Sequence, residues 1–206
     1  MHLYHADTIA NNLLNELKPF CEPGLCNIAG SIRRRKQDVK DIEIVCIPKM
    51  AIHKDLNLFG EVVAEHKIIH PEFERIIREA GMIVKGKFTG RYMQVEMRTD
   101  IEGSKYTVNL DLFMPQTHDY WRQFSIRTGS AEYARRFIAG AWSEKGWCGV
   151  EGDLYLKRDC YRESDQHPWK LRPGLTNPVR PPVWESEAEF FKWLGIQWLE
   201  PQHRNL

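Results

Sequence analysis

Hydrophobic positions recur first at helical and then at strand spacing along the first half of the chain. From about Ala6 to Phe20, Ile9, Leu13, Leu14 and Leu17 fall on one side of a helix, with Asn11, Asn12, Glu16 and Lys18 on the other. Pro23-Gly24 predicts a break. Leu25 to Ala29 reads as a short buried strand, with Asp41 to Ile47 as its partner and Pro48 as its end. Met50 to Glu61 has no clear period, and Val62 to Ile69 is ambiguous. Pro71 opens a helix through Ala80, striped by Phe73, Ile76 and Ile77 and stopped by Gly81. Met82 to Met97 predicts two strands around Phe88-Thr89-Gly90, and Glu102-Gly103-Ser104 turns the chain into a strand from Tyr106 to Phe113.

In the second half, Pro115 predicts a helix containing Tyr120, Trp121 and Phe124, closed by a tight turn at Arg127-Thr128-Gly129-Ser130. Ala131 to Lys145 predicts a helix with Tyr133, Phe137, Ile138, Ala141 and Trp142 inside and Arg135-Arg136 outside. Trp147 to Tyr161 reads as a hairpin, and the proline-rich stretch from Glu163 to Trp184 as a long ordered loop. Ser186 and Glu189 have capping-box spacing ahead of a short helix through Leu194, ended by Gly195. Successive strands flanked by helices predict an α+β fold with a mixed or antiparallel sheet.

Composition narrows the function classes. Apolar residues are 42 % and charged residues 28 % of 206, which excludes a globally disordered chain. A net charge of +1 supplies no global basic field, so any nucleic-acid partner must be held by local patches. Five cysteines form no C-x-x-C pair, which predicts free thiols in a reducing, cytoplasmic setting. No apolar run is long enough to predict a membrane span.

Candidate chemistry gathers at Ala29-Gly30-Ser31-Ile32-Arg33-Arg34-Arg35-Lys36 and at Asp41-Ile42-Glu43-Ile44. Residues i and i+2 of a strand share a face, so Asp41 and Glu43 point together while Ile42 and Ile44 face the core. Asp111 lies in the middle of another apolar strand. Three carboxylates on neighbouring strands repel unless cations lie between them, and hard oxygen ligands suit Mg²⁺. Gly30 allows close backbone approach, Ser31 can donate a hydrogen bond, and the arginines offer forked donors to phosphate. This predicts a metal-dependent site that handles a nucleoside triphosphate. Lys85, Lys87 and Arg91 read either as a solvated hairpin edge or as a phosphate-facing rim. His66 and His70, four apart, have no third zinc ligand nearby and are expected to be ordinary surface or packing histidines.

Several separated motifs together resemble the family X DNA polymerases of the polymerase-beta-type nucleotidyltransferase superfamily. Gly30-Ser31 followed by Asp41-Ile42-Glu43-Ile44 resembles the superfamily signature, and Asp111 in Leu110-Asp111-Leu112-Phe113 its third carboxylate. Arg127-Thr128-Gly129-Ser130 and the helix ending Glu144-Lys145-Gly146 resemble the nucleotide-binding turn and helix. Phe190 to Ile196 and Glu200-Pro201 resemble the closing segment. The likeness covers nearly the whole chain in order, in a minimal layout similar to the small viral member of the family.

The resemblance implies a palm domain over residues 1–125 and a small α+β thumb-like domain over 126–206. It implies two-metal transfer with Mg²⁺ or Mn²⁺, on a DNA partner that is gapped or primer-template, by a monomer with no membrane attachment. Asp41 and Glu43 would bind both metals, and Asp111 the catalytic one. Gly30, Ser31 and Arg34 would serve the triphosphate, and Thr128, Gly129 and Ser130 the nucleotide's sugar side. Arg33, Lys85, Lys87, Arg91, Arg127, Arg135 and Arg136 would serve nucleic acid. Glu43 stands where the family usually has aspartate, and Ile126-Arg127 where it has an aromatic pair. These departures motivate a second expectation, a catalytically weak or silent accessory protein that binds DNA or nucleotide. Transfer to a protein or small molecule is a third.

Overall fold

The computed structural model describes residues 1–205. The chain divides into two compact units between Tyr120 and Trp121, where the sequence expectation put the division after residue 125. In chain order the first unit contains α1 (Leu3–Leu17), β1 (Cys21–Ile28), α2 (Gly30–Arg33), β2 (Asp41–Pro48), β3 (Met50–Leu56), β4 (Val62–Ile69), α3 (Pro71–Ala80), β5 (Gly81–Gly86), β6 (Tyr92–Ile101) and β7 (Ser104–Phe113). Five strands form a mixed sheet in the order β1-β2-β7-β6-β5. Only β2 and β7 run parallel among these neighbours; the other pairs are antiparallel. The fold is α+β.

Alternation along the strands sets which face is which. Ile42, Ile44 and Cys46 of β2, Val108, Leu110 and Leu112 of β7, and Met93, Val95 and Met97 of β6 are buried in one core. Against them pack Ala6, Ile9, Ala10, Leu13, Leu14 and Leu17 of α1 and Phe73, Ile76 and Ile77 of α3. Each fully buried aliphatic side chain contributes about 1.5–3 kcal/mol of transfer free energy, so this face anchors the unit. The intervening residues, Asp41, Glu43, Asn109, Asp111, Tyr92 and Gln94, therefore belong to the opposite face.

Three local expectations change. Helix α1 starts at Leu3 because His2 accepts a hydrogen bond from Tyr4 N at 3.3 Å, a cap that histidine rarely advertises. Pro23-Gly24 does not break the strand; the β1–β2 register shifts between Cys21 and Cys26, and this bulge absorbs a residue with no N–H. Residues 50–69 form a separate two-stranded hairpin of β3 and β4. Within that stretch and beyond it, His66 pairs with Asp55 at 2.8 Å and His70 caps α3 by accepting from Glu72 N, so both histidines have ordinary partners. All five cysteines are free, as their spacing predicts, and all five are buried.

The second unit takes most of α4 (Tyr120–Thr128), then α5 (Ala131–Tyr133), a π-helical stretch Ala134–Ala139, α6 (Gly140–Glu144), β8 (Trp147–Val150), β9 (Asp153–Leu156), β10 (Cys160–Tyr161), β11 (Lys170–Leu171) and α7 (Glu187–Leu194). The continuous helix expected over 131–145 is interrupted by the wide π turn, which leaves Phe137 46 % exposed instead of inside, its ring stacked 5.2 Å from Tyr133. Tyr133, Ile138, Ala141, Leu154, Trp184, Phe190, Phe191 and Leu194 form the core. Trp184 is thus a core pin, and Trp169 packs on the small cluster of Cys148, Val150, Tyr155 and Cys160. Among the described residues, no helix is long and apolar enough to cross a membrane.

Candidate active site on the acidic face of the first sheet

The parallel register places Glu43 directly opposite Asp111, and Asp41 opposite Asn109. All three acids therefore share the face away from the α1–α3 core. Their surroundings differ. Burial, and then the Asp111 carboxylate, push the Asp41 carboxyl above its ordinary range; Lys40 and Arg34 pull it back only in part. Arg34 in turn is held below its ordinary value by burial, while Glu43 and Asp41 favour its charge. One guanidinium is thus set beside two acids on the same face.

Asp111 is held from the neighbouring strand. Tyr92 Oη and Gln94 Nε2 both donate to its Oδ1, each at 2.8 Å. Gln94 is the register partner of Asp111, and Tyr92 is the partner of Phe113, against whose ring it lies at 5.2 Å. Sequence reasoning missed both residues. A signal existed: Glu102 and Gly103, both at positive φ, make the two-residue turn between β6 and β7. Counting outward from that turn puts Gln94 across from Asp111.

Helix α2 supplies the other half of the site. Ala29 N donates to Glu43 O at 2.8 Å, which seats the start of α2 on β2. Gly30 has φ +62°, and a Cβ there would overlap Glu43 Oε2. Glycine is required twice, for the backbone conformation and for room beside the carboxylate. Ser31 Oγ is buried without a hydrogen-bond partner. A buried hydroxyl left unsatisfied costs about 1–3 kcal/mol, and a ligand oxygen would recover it.

The basic residues separate. Lys85 is the register partner of Gln94 on the site face, its Nζ 5.6 Å from the Tyr92 ring centre. Lys87 lies in the turn closed by Gly90 N donating to Lys87 O at 2.8 Å, with Arg91 just beyond it. Arg33 borders a different cavity of about 570 Å³, shared with Leu3, Tyr4, Ile28 and Arg35.

Thr128, Gly129, Ser130, Arg127, Arg135 and Arg136 belong to the second unit. Thr128 is fully buried, and a Cβ on Gly129 would stand 2.6 Å from Tyr133 Cδ1. Ser130 Oγ accepts from Tyr133 N at 3.1 Å and caps α5, so this hydroxyl has a structural duty. Ser130 N donates to Arg204 O at 2.9 Å, fastening the turn to the chain's end. Arg136 pairs with Glu132 at 3.2 Å across one helical turn, and Arg135 is exposed.

The three acids fit a hard divalent cation by chemistry, not by prior assembly. Among the described residues, no three histidine, cysteine, aspartate or glutamate side chains stand grouped to hold a metal ion. Yet Asp41 and Asp111 oppose each other's charge, Glu43 fills the space left by Gly30, and Ser31 presents an unused hydroxyl. Mutual repulsion of this kind is relieved by a cation, and the donors are all oxygens, as Mg²⁺ or Mn²⁺ prefers. No protein-family model and no curated protein matches the chain.

Proposed function

We propose that this protein is a metal-dependent nucleotidyltransferase of family X polymerase type, with the first unit as its palm, adding deoxynucleotides to a primer 3′-hydroxyl in DNA. The observation that carries the reading is the register of β2 and β7, which sets Asp41, Glu43 and Asp111 on one face beside the Gly30-Ser31 helix start. Two divalent ions, when bound, would supply Lewis-acid stabilisation of the phosphoryl oxygens and of the attacking oxygen. Asp41, Glu43 and Asp111 would hold them. Ser31 Oγ would donate to a phosphate oxygen, and Arg34 would neutralise the growing charge on the triphosphate. Asp111 would also accept the 3′-hydroxyl proton.

A second reading, an accessory protein that binds DNA or nucleotide without turnover, draws on Glu43 at an aspartate position. Primer extension on a one-nucleotide gapped duplex separates the two. With Mg²⁺ or Mn²⁺ and each deoxynucleotide in turn, the polymerase reading expects template-directed single additions. Untemplated additions would redirect it to terminal transfer. DNA binding with no addition under any condition would replace it by the accessory reading.

A further inference from the structure

Tyr92 and Gln94 occupy the same oxygen of Asp111. Both donors reach Oδ1 at 2.8 Å, from residues two apart on β6. A carboxylate oxygen has two lone-pair directions, and two donors at this distance use them. The arrangement is built. Gln94 is fixed by its ladder position opposite Asp111, and the Tyr92 ring lies 5.2 Å from the Phe113 ring and 5.6 Å from the Lys85 ammonium. Were a metal ion bound here, Oδ2 would be the Asp111 oxygen left to hold it.

That asymmetry bears on which ion the acids accept. Ca²⁺ takes six to eight oxygens and readily uses both oxygens of a carboxylate; Mg²⁺ demands octahedral geometry, keeps waters and takes single carboxylate oxygens. We propose that Tyr92 and Gln94 are positioning residues that make Asp111 a one-oxygen ligand and so bias this site toward Mg²⁺ and Mn²⁺ over Ca²⁺. The proposal rests on the nucleotidyltransferase reading for the presence of a metal at these acids. It adds two residues and a selectivity that the motif resemblance does not contain.

Tyr92→Phe keeps the ring against Phe113, and Gln94→Met keeps the side-chain length, so each removes a donor and little else. The experiment is calorimetric titration of the full chain with Mn²⁺ and, separately, Ca²⁺, for the wild type, Tyr92→Phe, Gln94→Met and the double variant. Thermal melts report the fold of each. The wild type is expected to bind Mn²⁺ more tightly than Ca²⁺. Loss of outer donors to a ligating carboxylate typically weakens metal binding by about 10–100-fold, so Mn²⁺ affinity should fall by that order in the double variant. Ca²⁺ affinity should hold or rise, so the Mn²⁺/Ca²⁺ ratio collapses. An equal loss for both ions, or an unchanged ratio in Tyr92→Phe and the double variant, would overturn the proposal while leaving the metal site standing. Absence of binding and of primer extension in the wild type itself would overturn the underlying reading and the proposal with it. Should the double variant melt at room temperature, Tyr92→Phe alone decides, with a smaller shift of the ratio in the same direction.

Discussion

Each unit withdraws acidic side chains from water at least in part, and the two treat them in opposite ways. In the second unit, Glu187 is 6 % exposed and meets Arg204, which is wholly buried, through two parallel contacts at 2.7 and 3.2 Å. Ser125 Oγ and Trp198 Nε1 donate to the same carboxylate, and Arg204 Nε donates to Leu199 O. The guanidinium also lies 4.7 Å from the Phe191 ring centre. Every charge there has a fixed partner. In the first unit, Asp41 lies beside a second acid and its carboxyl is pushed up rather than down. A closed ion-pair network holds a fold; an open one leaves electrostatic work for a ligand to do. The contrast marks Glu187 as a structural acid and sets the first-unit acids apart as the candidates for ligand binding.

The sharpest way to break this comparison is to delete one charged side chain from each unit. Asp111→Ala should lower nucleotide incorporation by about 1,000-fold or more, because the charge it stabilises appears only in the reaction. Its thermal melting should change little; unfolding of the first unit instead would move Asp111 to the structural class. Arg204→Ala should destabilise the second unit by about 3–5 kcal/mol in urea denaturation, since Glu187 is left as a buried unpaired charge. Replacing both partners, Glu187→Leu with Arg204→Met, should restore most of that loss; failure to do so would mean that the pair sets local geometry rather than balancing charge. Gly30→Ala comes next. Positive φ and the overlap with Glu43 together should cost about 1–3 kcal/mol, read by the same denaturation, and should impair incorporation as well.

The smallest effect concerns pH. Because folding raises the Asp41 carboxyl pKa, the folded state holds that proton more tightly than the unfolded one. Its contribution to stability is fully present below the unfolded pKa and is lost as pH rises through the folded value. Asp41→Asn should therefore melt higher than the wild type at neutral pH, and the gap should close as pH is lowered into the carboxylate range. A variant that melts lower at neutral pH would show that Asp41 is already compensated, as Glu187 is.

Legibility in the sequence followed the range of the interaction. Helix α3 is visible because Pro71, the Phe73-Ile76-Ile77 stripe and Gly81 are local signals. Asp41 and Glu43 sharing a face follows from strand geometry alone, and the core side of β2 is announced by Ile42 and Ile44. What depends on pairing between distant segments was hidden. The β3–β4 hairpin has a bulge at its turn end and alternation blurred by exposed Ile52, Leu56, Val62 and Val63, so no period emerges. The Glu187–Arg204 pair joins the first residue of α7 to one 17 positions further on, with nothing local to mark Arg204 as buried. The π turn at Ala134–Ala139 leaves the apolar spacing helical while rotating Phe137 outward. Tyr92 and Gln94 lie between these extremes: their role becomes readable once the Glu102-Gly103 turn fixes the ladder.

The most direct test of the central claim is a crystal structure of this protein with Mn²⁺ and a non-hydrolysable deoxynucleoside triphosphate, with anomalous scattering measured at the manganese edge. The account predicts anomalous peaks within ligating distance of Asp41, Glu43 and Asp111, with the triphosphate reaching Ser31 and Arg34. A well-ordered nucleotide bound elsewhere, with no manganese signal at these three carboxylates, would contradict it.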